Sequence, residues 1–81
     1  MNDFLITDKI IAEAIYVHKH LGPGLLESTY QSCLFYRLVQ AGMKVEKEKP
    51  LPVIFDGVQI ECGYRLDLVV NNQVVLELKS I

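Results

Sequence analysis

The sequence predicts an α+β domain in which two N-terminal helices pack on a small mixed β-sheet. Three observations predict it. Apolar residues recur at helical spacing through the first half of the chain, the period shortens to two after Gly42, and glycines, prolines and paired asparagines punctuate these changes with no linker between them. The chain has 81 residues, enough for one domain, residues 1–81, and too few for two. Apolar residues make up 51% and charged residues 22%, the balance of a folded chain and not of a disordered tail.

From Thr7 to Leu21, Ile10, Ile11, Ala14, Ile15 and Leu21 recur at helical spacing, and Thr7 or Asp8 can accept a hydrogen bond from the first free amides. Gly22-Pro23-Gly24 stops this first helix, because proline cannot continue the ladder and glycine supplies the open angles of a turn. A second helical pattern runs from Leu25 to Ala41, with Leu26, Tyr30, Leu34, Leu38 and Ala41 on one stripe and Gly42 as terminator. The segment KVEKEKPLPVIFDGVQI then reads as a charged alternating strand, a break at Pro50 and Pro52, a short apolar strand and an Asp56-Gly57 hairpin turn. After Gly63, YRLDLVVNNQVVLELKS gives two more strands around Asn71-Asn72.

The loop length of that last hairpin sets its register. A two-residue Asn71-Asn72 loop would leave both faces mixed and put Asp67 and Glu77 on opposite sides. An odd loop such as Val70-Asn71-Asn72, closed by Asn72 in the left-handed conformation, makes one face of Tyr64, Leu66, Leu68, Val74, Leu76 and Leu78 wholly apolar. The other face then carries Arg65, Asp67, Val69, Val75, Glu77 and Lys79. Solvent alone would account for charges at alternate positions on such a face. The particular trio of Asp67, Glu77 and Lys79 adds a second reading, two carboxylates able to share a divalent cation beside a lysine.

Composition narrows the function. Eight Lys and Arg against ten Asp and Glu give a net charge of −2, which argues against gripping nucleic acid through bulk charge. Lys44, Lys47 and Lys49 interleave with Glu46 and Glu48, so they read as a solvated edge strand. His18 and His20 stand two apart on a helix and point in different directions, so His18 reads as flanking the core and His20 as a helix-end residue. Cys33 and Cys62 lack partners at metal-ligand spacing and read as reduced thiols, Cys33 being buried on a helix. With no bilayer-length apolar run and no signal-peptide pattern, the expected location is cytoplasmic, away from any membrane.

Asp67 near the end of one strand, followed by Glu77-Leu78-Lys79 in the next, resembles the PD-(D/E)XK nuclease superfamily. Gly24-Leu25-Leu26-Glu27-Ser28-Thr29-Tyr30 matches the G-x-x-E-x-x-Y signature of the GxxExxY proteins, a family assigned to that superfamily. The resemblance implies a restriction-endonuclease-like core and a metal-dependent nuclease. Asp67 and Glu77 would hold magnesium or manganese, Glu27 would approach it through water, and Lys79 would orient the attacking water and offset phosphate charge. The alternative is an inactive module that binds nucleic acid or protein while keeping the fold. Gly24 and Tyr30 also have structural readings, as helix opener and as core residue with a bonded hydroxyl. The dipole of the second helix favours a carboxylate at Glu27 whatever the function. The superfamily core continues with a helix and strand after the Glu-x-Lys strand. The resemblance therefore implies a domain short of them, whose exposed sheet edge would pair with a second copy as a homo-oligomer.

Overall fold

Hydrophobic spacing places two helices ahead of five short strands, and a computed structural model describes residues 3–79. The elements are α1 (Asp3–Leu21), α2 (Glu27–Gln40), β1 (Val45–Pro50), β2 (Val53–Phe55), β3 (Val58–Ile60), β4 (Arg65–Val70) and β5 (Val74–Leu76). Strands β1, β4 and β5 form a three-stranded sheet with β4 central, while β2 and β3 pair separately. Every pairing among the described strands is antiparallel, where a mixed sheet was expected. Antiparallel pairs need no crossover helix, and the β2–β3 hairpin fills the connection from β1 to β4.

Helix α1 starts a turn earlier than Thr7 and buries a different stripe from the expected one. Ile6, Ile10 and Val17 are buried, and Ala14 and Leu21 pack against them, a spacing of four, four, three and four that keeps one face inward. Ile11 and Ile15 fall off that face and stay about half exposed, at 52% and 50%. Helix α2 contributes Leu34 and Leu38, together with Gln31, a polar residue buried on the same side. Leu26, expected on this stripe, occupies the cap position in extended conformation and is 76% exposed.

Gly42 ends α2 as expected. At φ 87° it occupies the left-handed region, and its N–H reaches the Val39 carbonyl while the Met43 N–H reaches Leu38. This 6→1 and 5→2 pair is a Schellman motif, accompanied by the buried side chains of Leu38 and Met43. At the end of α1, a nitrogen of His20 bonds the Tyr16 carbonyl at 2.9 Å and its ring stacks on Tyr16. Between the helices, Arg37 bonds Glu13 at 2.8 Å and lies 3.7 Å over the Tyr16 ring. The Glu13 carboxylate holds the Arg37 guanidinium above its ordinary range.

The sheet turns one face to the helices. Leu68 and Val70 of β4 are fully buried against Ile6, Ile10, Val17, Leu34, Leu38 and Met43, with Val45, Val74, Leu76 and Leu78 packed around them. The last hairpin has an odd connection. Val70 pairs with Val74, Val69 with Val75 and Leu68 with Leu76, which leaves Asn71-Asn72-Gln73 as the loop. The loop sits one residue later than expected because both asparagines are left-handed, at φ 53° and 56°, and the Gln73 N–H closes the turn onto Val70. Val70 is thereby returned to the strand and to the core. The side chain of Asn71 also accepts the Lys44 N–H at 2.8 Å, which pins this turn to the start of β1.

The β2–β3 hairpin turns at Asp56-Gly57, both with positive φ, and pairs Phe55 with Val58 and Val53 with Ile60. A Leu51 N–H to Tyr64 carbonyl bond connects its base to the β1–β4 ladder. Its apolar side chains are exposed, Phe55 at 62% and Val58 at 58%. Cys33 is half-buried against the core, Cys62 is exposed, and both are free thiols. No helix among the described residues is long and apolar enough to cross a membrane.

Helix α2 lacks a side-chain cap at its first turn. Leu26→Ser places a hydroxyl acceptor at the cap position, and thermal unfolding is expected to show a gain of about 1 kcal/mol.

Candidate active site

The loop between the helices determines where α2 begins. Gly22 and Gly24 adopt φ 76° and 90°; a Cβ at Gly24 would meet nothing within 4 Å, so the backbone angle is what requires glycine there. The Tyr30 hydroxyl donates to the Gly22 carbonyl and accepts the Leu25 N–H at 3.4 Å. Tyr30 also packs against the core, so in this chain glycine and tyrosine of the G-x-x-E-x-x-Y pattern clasp the loop and start the helix at Glu27.

Beside this clasp lies a small cavity of about 210 Å³, lined by Glu27, Ser28 and Gln31 of α2, Glu48 of β1, Asp67 of β4, and Leu78. One oxygen of the Asp67 carboxylate accepts the Leu78 N–H at 2.7 Å, which restrains its rotation and ties down the segment that follows β5. The buried amide of Gln31 donates to the Asp67 carbonyl at 2.9 Å and to the Glu48 carboxylate at 3.1 Å. A single side chain of α2 thus holds both strands.

Glu48 reaches Gln31 by an unusual backbone. Its φ is 56°, and it is the position skipped between the Lys47–Leu68 and Lys49–Leu66 pairs. A left-handed glutamate costs on the order of 1–2 kcal/mol, which the bond to Gln31 helps to offset. β1 is the solvated edge strand expected, with Lys44, Lys47 and Glu48 exposed; in addition Glu48 lines the cavity and Lys47 lies 5.1 Å over the Phe35 ring. Sequence reasoning missed Gln31 and Glu48. An amide on the stripe of Leu34 and Leu38 was the available signal for Gln31; the backbone turn at Glu48 left none.

A second cavity, of about 860 Å³, adjoins the first and shares Glu27, Ser28 and Leu78 with it. Lys79 lines this larger space, as does His18, whose exposed ring lies 6.3 Å from that of Tyr30. Of the residues picked out in the sequence, Asp67 and Glu27 thus meet in one cavity and Lys79 stands in the next. Glu77 is exposed and lines neither. The odd register carries it to the level of Asp67, but β5 ends at Leu76 and the strict alternation ends there too.

The donors around Asp67 are hard oxygens, the chemistry that magnesium and manganese take. Among the described residues no three acidic, histidine or cysteine side chains are gathered closely enough to hold a metal by themselves.

Two helices lie on a small antiparallel sheet, with Asp67 and Glu77-Leu78-Lys79 on adjoining segments, an arrangement consistent with the nuclease-like class that the family match below defines. The family model of the PD-(D/E)XK nuclease superfamily matches residues 5–81, and the chain belongs to that superfamily. No curated protein and no solved structure matches it.

Replacing Gln31 by leucine would leave the Asp67 carbonyl and the Glu48 carboxylate without their donor. Gln31→Leu is expected to lower stability by about 1–3 kcal/mol, read as a shift of the urea midpoint at unchanged slope.

Proposed function

We propose that this chain is a metal-dependent nuclease that hydrolyses phosphodiester bonds of nucleic acid. The observation that carries the reading is the shared cavity of Asp67 and Glu27, with Lys79 across the wall that both cavities have in common. Asp67 and Glu27 would hold a magnesium or manganese ion that keeps most of its water, while Glu77 stands exposed outside both cavities. Bound there, the ion supplies charge neutralisation at the phosphate and an acidified water.

The chain's own groups do the rest. Leu78 N–H fixes one oxygen of Asp67, so the carboxylate meets its ligand in a set orientation. Gln31 keeps the Asp67 strand and Glu48 at fixed distance from the start of α2. The Lys79 ammonium orients the attacking water and offsets charge that develops on the phosphate oxygens. Because the chain carries a net charge of −2, a cation is needed to bring a phosphate against these carboxylates. The GxxExxY pattern of Gly24, Glu27 and Tyr30 supports placement in that narrower group.

Calorimetry with manganese, paired with cleavage of end-labelled DNA and RNA strands, tests the reading. Wild type is expected to bind the ion and cut; Asp67→Asn is expected to lose both. Lys79→Ala should keep ion affinity and cut about a hundredfold more slowly or worse. An Asp67→Asn protein that titrates and cuts like wild type overturns the assignment.

A further inference from the structure

The larger cavity has a chemistry unlike that of the carboxylate site. Leu25, Leu26 and Leu34 contribute apolar wall, and the rings of His18 and Tyr30 stand near-parallel, at 28°, with centroids 6.3 Å apart. A centroid separation of 6.3 Å is that of an offset aromatic pair, so the two rings offer a base an aromatic surface to stack on rather than a slot between them. Lys79 brings a positive charge to the same lining, and Glu27, Ser28 and Leu78 join the space to the Asp67 cavity.

We infer that this cavity receives an unpaired nucleobase, so that the substrate is single-stranded or locally unpaired nucleic acid. The inference rests on the nuclease reading above and names the substrate class of that site. A base leaves water for an apolar and aromatic enclosure, its phosphate meets Lys79, and the next phosphodiester lies towards Asp67. At about 860 Å³ the space holds a base with its sugar, whereas a duplex keeps its bases stacked and paired and offers only its backbone. Backbone contact alone would call for a basic surface, and the chain has a net charge of −2.

Fluorescence anisotropy with calcium as the supporting ion tests it. The probes are a labelled 12-nucleotide single strand, as DNA and as RNA, its blunt duplex, and an abasic backbone of equal length. One stacked base is worth roughly a factor of ten, so the single strands are expected to bind at least tenfold more tightly than the duplex and the abasic backbone. His18→Ala should weaken single-strand binding at least fivefold with the thermal midpoint unchanged, and leave the abasic backbone unaffected. Equal binding of single strand and abasic backbone, preference for the duplex, or no effect of His18→Ala overturns the inference. A manganese cleavage assay on the same probes separates the two levels. Equal cutting of duplex and strand leaves the nuclease reading standing without the base cavity, and absence of both binding and cutting removes both.

Discussion

Burial of the even-numbered face of β4 is the constraint on which the rest depends. Leu68 and Val70 are sealed between the helices and the flanking strands, and each such side chain contributes about 1.5–3 kcal/mol by leaving water. A slip of one residue would exchange this face for Asp67 and Val69, so the register of the whole sheet is held by the core. Asp67 takes its place as a consequence. The odd hairpin loop serves the same constraint, for the two left-handed asparagines return Val70 to the strand where the core needs it.

Helix α2 is coupled to that sheet at its polar end by a single amide. Gln31 lies on the stripe of Leu34 and Leu38, so the packing that buries the leucines also carries the amide against β1 and β4. A buried amide without partners would be expensive, and the Asp67 carbonyl and Glu48 carboxylate supply them. The left-handed backbone at Glu48 then makes physical sense as a local strain held by its surroundings. Such outliers concentrate where a structure builds a site, and this one lies on the cavity of Asp67 and Glu27.

The two cavities divide the chemistry between them. Oxygen donors collect where α2, β1 and β4 meet, and apolar and aromatic side chains collect where α1 and the interhelical loop meet α2. The clasp of Tyr30 on Gly22 and Leu25 holds the boundary between the two, because it determines where the helix starts and hence where Glu27 stands. One motif thus supports both spaces, although only its glutamate lines the polar one.

The sequence by itself determined the order of elements, the Schellman glycine at Gly42, the Asp56-Gly57 turn and the odd parity of the last hairpin, since each follows from local backbone preference or from a period of two. It also carried the superfamily in Asp67, Glu77 and Lys79. The helix stripe was legible only in part. Ile6, Ile10 and Val17 face the core while Ile11 and Ile15 do not, because the packing partner selects among apolar faces that one helix offers alike. The site's inner shell was decided by tertiary structure alone. Gln31, Glu48 and Asp67 are 17 to 36 residues apart along the chain, and a hydrogen bond across such a separation exists only after the core has fixed helix against sheet. The same holds for Glu77 and Lys79, where the end of β5 at Leu76 releases the strand alternation and lets Lys79 line the larger cavity while Glu77 lines neither.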